Sequence, residues 1–149
     1  MLVMVSLINC KNSLLQGDLI LNSPSWNLHP LIYENIMNDN IFVKNPTYTD
    51  NGDAIDLDSC KNAIVINSQF VAGDDGIYIK SAKDKDGRKR GKSCEKIIID
   101  GCKVFSGHGG FVVGSDMCGD SNFQFLGTDN GLTFKSTRDR GGVVEDIYI

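Results

Sequence analysis

The sequence has no apolar run long enough to cross a bilayer, no Cys-x-x-Cys pair and no surplus of basic residues, and each absence removes a class of function. Residues 1–8 are apolar apart from Ser6, but the segment has no basic n-region and Asn9, Lys11 and Asn12 follow at once, so it reads as neither a signal peptide nor a membrane span. Cys10, Cys60, Cys94, Cys102 and Cys118 fit no zinc spacing, and their odd number leaves one thiol over in any disulfide scheme. With 19 acidic residues against 15 basic and an isoelectric point near 5.0, neither nucleic acid nor a membrane is an expected partner. Apolar residues at helical spacing are scarce as well. What remains, 149 residues that are 41% hydrophobic and 23% charged, is the composition of one globular domain.

In place of these features the sequence has repetition. Ile8-Asn9-Cys10-Lys11-Asn12-Ser13-Leu14-Leu15 returns as Asp58-Ser59-Cys60-Lys61-Asn62-Ala63-Ile64-Val65 and as Lys92-Ser93-Cys94-Glu95-Lys96-Ile97-Ile98-Ile99. Shorter copies stand at Glu34-Asn35-Ile36 and Glu145-Asp146-Ile147. The equivalent positions Asn12, Asn35, Asn62 and Lys96 are 23, 27 and 34 residues apart, which is the length of one turn of a β-solenoid.

A second series runs in phase with the first: Asp53-Ala54-Ile55-Asp56-Leu57-Asp58, Asp75-Gly76-Ile77-Tyr78-Ile79-Lys80, Gly109-Gly110-Phe111-Val112-Val113-Gly114 and Asn130-Gly131-Leu132-Thr133-Phe134-Lys135. Apolar residues alternate in each, the mark of a strand with one buried face. Ile55, Ile77, Phe111 and Leu132 should therefore stack inside, with Leu57, Ile79, Val113 and Phe134 as the next file. Trp26 and Leu28 should belong to an earlier turn, both pointing inward. Cys10, Cys60 and Cys94 share one phase, which predicts an interior ladder of small residues.

The fold class that follows is all-β: a single-stranded, right-handed parallel β-helix of about five to six coils. Residues 1–149 would form part of one such domain. The run 83–92, rich in lysine and arginine, is expected to leave the solenoid as a charged loop, solvated or walling a cleft for a polyanion.

Stacking converts sequence distance into proximity. In this register Asp53 falls one coil from Asp75, with Asp74 beside it. Carboxylates separated by a coil spacing of roughly 4.8 Å cannot all ionise freely, so at least one should hold its proton toward neutral pH. His108 aligns with Asp74 one coil further on, and Lys135 aligns with Lys80 on the outward face. Singly, each has a plainer explanation: corner aspartates bond turn backbones, a histidine between glycines makes a turn, and an outward lysine is solvated. Their convergence on one face is what points to chemistry.

Asn51-Gly52-Asp53, Gly73-Asp74-Asp75, Gly107-His108-Gly109 and Phe134-Lys135-Ser136, in this order on successive coils, resemble the signature of the glycoside hydrolase family 28 polygalacturonases. Asn22-Ser23-Pro24-Ser25-Trp26-Asn27-Leu28-His29-Pro30 resembles that family too, as does Lys135-Ser136-Thr137-Arg138 followed by Arg140-Gly141-Gly142. Residues 107–115 look more like its exo-acting members. The resemblance implies inverting hydrolysis of α-1,4-linked galacturonic acid in pectin, without cofactor or metal, by a secreted or periplasmic parent protein. It makes Asp74 the general acid, Asp53 and Asp75 the pair that activates water, and His108 the residue that tunes the acid. Lys135 would hold a substrate carboxylate, with Asn51 beside it. Inverting enzymes place acid and base roughly 6.5 to 9.5 Å apart so that a water fits between base and sugar.

The chain departs from the family pattern in two places. Where the family has an arginine two positions before the lysine, this sequence has Thr133, which cannot clamp a carboxylate. Residues 118–126 lack the Asn-Ile-x-Ile strand pattern of neighbouring coils, and a shortened coil is expected to disturb the register that brings Lys135 under His108. A catalytically impaired pectin-binding or structural solenoid is the alternative these departures keep open. A pectate lyase of the same architecture is a third reading, against which stands the missing Asp-x-Asp-x-Asp calcium loop. On this reading the chain starts and stops within the solenoid, and open solenoid ends favour end-to-end self-association.

Overall fold

The alternating segments form strands, and the strands wind into coils. The computed structural model describes residues 2–81, 84–117, 121–126, 132–136 and 142–148. The first coil comprises β1 (Val5–Ile8), β2 (Lys11–Gln16) and β3 (Leu19–Leu21), and the second β4 (Leu28–Leu31), β5 (Glu34–Asp39) and β6 (Phe42–Lys44). The third holds β7 (Ile55–Asp58), β8 (Lys61–Ile66) and β9 (Gln69–Val71). The fourth holds β10 (Asp75–Ser81), helix α1 (Asp84–Arg90), β11 (Cys94–Asp100) and β12 (Lys103–Ser106). Then come β13 (Gly109–Met117) and β14 (Ser121–Leu126), and finally β15 (Leu132–Phe134) and β16 (Val144–Tyr148).

Equivalent strands stack in parallel. The first sheet runs β1-β4-β7-β10-β13-β15, the second β2-β5-β8-β11-β14-β16 and the third β3-β6-β9-β12. This is a right-handed parallel β-helix, with six coils among the described residues.

The repeat that marks the sequence is a bend. Asn12, Asn35, Asn62, Lys96 and Asp146, each the second or third residue of its strand, have φ of 57°, 61°, 54°, 55° and 52°. Asparagine tolerates this left-handed region better than most residues because its side chain bonds locally. Here it also joins coils: Asn35 Nδ2 donates to Asn12 Oδ1 and Asn62 Nδ2 to Asn35 Oδ1, both at 2.8 Å.

The expected interior files are in place. Leu28 pairs with Ile55, Ile55 with Ile77, Ile77 with Phe111 and Phe111 with Leu132. Leu57, Ile79 and Val113 form the next file, with Phe134 in register beyond them. Phe134 is nonetheless exposed, because it lies on β15, the outermost strand of its sheet. Ile36, Ala63 and Ile97 line the second wall, and Ile20, Val43, Phe70 and Val104 the third. Each large side chain buried in this way contributes about 1.5 to 3 kcal/mol before the cost of ordering the chain.

The cysteine phase is also interior. Cys60 and Cys94 are buried, the Cys60 N–H donates to Cys94 Sγ at 3.2 Å, and Tyr33 takes the equivalent place in the second coil. Burial pushes the Cys94 thiol well up, and raises Cys102 to about 11. Since thiolate is the reactive form, iodoacetamide at pH 8 should label the partly exposed Cys10 at least about tenfold faster than Cys60, Cys94 and Cys102. Peptide mapping that found equal rates at all four would refute the buried ladder.

Two expectations need correction. The charged run is not an irregular loop: residues 84–90 are helical, with Arg88, Lys89 and Arg90 in the last turn, where the helix dipole favours positive charge. Gly91, at φ 56°, closes the helix by donating its N–H to the Gly87 carbonyl at 3.0 Å. The coil expected to lack a strand has one: β14 pairs with β11 and β16 through its backbone. Among the described residues it is the third sheet that gains no strand in this coil, and the first sheet keeps its register, with Phe111, Val112 and Val113 opposite Leu132, Thr133 and Phe134. Among the described residues no helix is long and apolar enough to cross a membrane.

Candidate active site

Two glycines let neighbouring turns touch where the carboxylates gather. A Cβ on Gly107 would stand 2.8 Å from the Asp74 carbonyl oxygen, and one on Gly73 would stand 2.5 Å from that of Thr49. Only glycine admits such close backbone approach. The first approach seats His108 over Asp74. The His108 N–H donates to the Asp74 carbonyl at 2.6 Å, and His108 Nδ1 lies 3.1 Å from Asp74 Oδ1. The Asp74 side chain is 28% exposed and that of His108 78%, so the pair faces solvent.

Asp53 precedes β7, and Asp75 opens β10. The Ala54 N–H donates to the Asp75 carbonyl at 3.0 Å and the Gly73 N–H to the Gly52 carbonyl at 3.1 Å, which fixes the two aspartates on adjacent coils. Both are buried. Lys135, just past β15, reaches back two coils and places Nζ 2.8 and 2.6 Å from the two carboxylate oxygens of Asp75. Lys135 is therefore not a freely solvated lysine; its partner is Asp75. Asn51 is exposed at the corner with φ 55°, and its carbonyl accepts the Ser25 hydroxyl at 3.3 Å. Thr133 is exposed opposite Val112.

Beneath these groups lies a cluster that the sequence reading passed over. Lys80 is 1% exposed, ion-paired with Asp56, and its Nζ is 3.7 Å from Asp53 Oδ2. The ammonium sits 3.4 Å from the Trp26 ring centroid and 4.0 Å from that of Tyr78, within cation–π range of both. Trp26 thus covers the outside of the first sheet and does not pack in the core. The physical reason is local: it stands before β4 begins, so strand alternation does not govern it, and the Ser23 hydroxyl holds its carbonyl in a turn at 2.6 Å. The signal for the cluster was present in the outward parity of Asp56, Tyr78 and Lys80.

Burial raises the Asp53 carboxyl above its ordinary range, with Lys80 and Asp56 opposing and Asp74 and Asp75 adding to the rise. Asp56 is pushed up further, again by burial first, against the pull of Lys80. Asn45 anchors this floor: its Nδ2 donates to the Ser25 and Asp53 carbonyls at 3.0 and 3.2 Å, and its Oδ1 accepts from Asn27 Nδ2 and the Ser23 N–H, both at 2.9 Å. The arrangement offers one solvent-facing carboxyl paired to an imidazole, three buried carboxyls on two adjacent coils, and two lysines. Among the described residues no group of three or more His, Cys, Asp or Glu is disposed to hold a metal ion.

The family model described as glycosyl hydrolases family 28 matches residues 3–148. A probable polygalacturonase of Vitis vinifera is 32% identical over 87% of the chain and 28% of its own length. An endo-polygalacturonase of Pectobacterium carotovorum subsp. carotovorum is 29% identical over 97% of the chain and 35% of its own length. Among solved structures, a hyperthermoactive exopolygalacturonase from Thermotoga maritima superposes with a TM-score of 0.87 at 35% identity, covering 97% of this chain and 34% of that one. The chain thus spans about a third of the length of the relatives it matches.

Proposed function

This chain belongs to glycosyl hydrolases family 28, and on that premise we propose that it carries the acid and base of an enzyme that hydrolyses α-1,4-galacturonide bonds in pectin with inversion at the anomeric carbon. The observation that carries the reading is the solvent-facing Asp74 bonded to His108 in the turn that also carries the buried Asp75, with Asp53 on the adjacent coil. Asp74 donates its proton to the departing glycosidic oxygen. Asp53 and Asp75 take a proton from the water whose oxygen bonds to the anomeric carbon from the other side, so the exchange balances without a covalent enzyme intermediate. His108 positions and tunes the Asp74 carboxyl through its hydrogen bond.

Lys135 supplies positive charge beside the attacking water and within reach of a uronate carboxylate, which suits a polyanionic substrate better than a neutral one. Thr133 stands where the family pattern has a second cation, which predicts weak binding rather than failed chemistry. Since pectin is a wall polysaccharide, the parent protein would work outside the cytoplasm.

The test is to incubate the protein with oligogalacturonate and follow both reducing ends and the anomer first released by proton NMR. New reducing ends appearing as the β-anomer are expected. Ultraviolet-absorbing unsaturated products would replace the reading with a lyase, and binding without turnover would replace it with a pectin-binding solenoid.

A further inference from the structure

Lys80 stands apart from the groups so far given roles. It is a cation with essentially no contact with water, which is costly unless opposite charge or aromatic faces surround it. Both do. Trp26 before β4 and Tyr78 on β10 cap the ammonium, Asp56 on β7 pairs with it, and Asp53 ahead of β7 lies 3.7 Å away. The charged groups facing Asp53 are thus Lys80, Asp56, Asp74 and Asp75, with Lys135 bound to Asp75 and 5.6 Å from the Tyr78 ring centroid.

Asp74 and Asp75 disfavour the ionised form of Asp53, as does its own burial, whereas Lys80 and the hydrogen bond from Asp56 favour it. A water-activating carboxylate must be ionised before it can accept a proton. Lys80 is the group of opposite charge beside Asp53, and its position is set by the Trp26 and Tyr78 rings. We propose that Lys80 is a positioning residue that keeps Asp53 ionised and oriented as a base, with the Trp26 and Tyr78 faces holding the ammonium in place. This rests on the hydrolase reading, in which Asp53 is one of the two water-activating groups. Asp56, fully buried against the same ammonium, is the partner that carries the proton when the three groups cannot all be charged.

An opposite charge within about 4 to 6 Å lowers a carboxyl pKa by about 1 to 3 units, and removing it should return that amount. In Lys80→Met the acid limb of the kcat/KM profile on polygalacturonate should move up by about 1 to 3 pH units. At pH 5, kcat should fall at least about tenfold while KM stays within about twofold, since Lys80 touches no substrate. Lys80→Met leaves two buried carboxyls without a cation, so Lys80→Met with Asp56→Asn removes the pair as a neutral unit and guards against unfolding. Carbon-13 NMR titration of the Asp53 carboxyl, which requires no turnover, should show the same upward shift in both variants. An unmoved Asp53 titration in a folded variant overturns the role of Lys80. A moved titration in a protein that never cleaves polygalacturonate supports Lys80 and overturns the hydrolase reading instead.

Discussion

Asp74→Asn is expected to lower kcat on polygalacturonate by about 10²- to 10⁴-fold, the usual contribution of a positioned general acid, while shifting the thermal midpoint by no more than about 2 °C. Asparagine has the same shape and can still meet His108, but it has no carboxyl proton to give. Because the side chain lies at a solvent-facing turn and supports no core contact, the substitution separates chemistry from folding. A substrate whose leaving group needs no protonation, such as an aryl galacturonide with an acidic phenol, should recover much of the rate. Near-normal turnover of polygalacturonate by this variant would remove Asp74 from the acid role. A folded variant equally slow on both substrates would point to a positioning role instead.

The second expected result concerns stability against pH and runs opposite to the usual acid denaturation. Asp53 and Asp56 have folded-state pKa values raised above 3.8, chiefly by burial. The folded chain therefore holds these protons more tightly than the unfolded chain between 3.8 and the raised values. The stability they contribute is fully present below the ordinary carboxyl value and is lost as pH rises through the folded values. Glu34 and Asp39 have the opposite sign, lowered by bonding to Lys11 and to Asn67 respectively, so their contribution is lost only as pH falls below the ordinary range.

As pH falls from neutral toward the ordinary carboxyl range the strongly raised Asp56 should dominate, and the urea midpoint should rise on acidification, each unit of pKa difference corresponding to about 1.4 kcal/mol. Asp56→Asn should be more stable than the parent at pH 7 and should flatten the rise. A wild-type midpoint that falls steadily from pH 7 to pH 5, or an unchanged slope in Asp56→Asn, would show that Asp56 is charged and fully compensated in the folded state.

Both expectations draw on residues of unequal legibility. Asp53, Asp74, Asp75 and His108 could be placed near one another from the sequence alone, because the alternating strand motif recurs once per parallel coil and carries them into register. Gly73 and Gly107 were visible as motif letters, but their reason, a backbone approach that leaves no room for a Cβ, was not. Lys135 was placed on the outward face, yet its partner is Asp75, 60 residues earlier. A flexible lysine reaching across two coils chooses among several acceptors, and strand pattern does not decide which. The run 84–90 misled for a related reason: seven charged or glycine residues carry no apolar stripe, and helix propensity together with a favourable dipole settled its form.

Alternation with period two, and bends recurring at solenoid spacing, determined by themselves that this chain winds into stacked parallel strands and which apolar residues fill the interior. Those are one-dimensional properties, since the face of the sheet that a strand side chain takes follows directly from parity. The tertiary structure decided what covers the outer face: Trp26 turning out over Lys80, Asp56 drawn into the same buried pair, and Lys135 closing on Asp75. Such contacts depend on turn geometry, side-chain reach and the cost of leaving charge unpaired away from water, and these take values only once the coils are stacked.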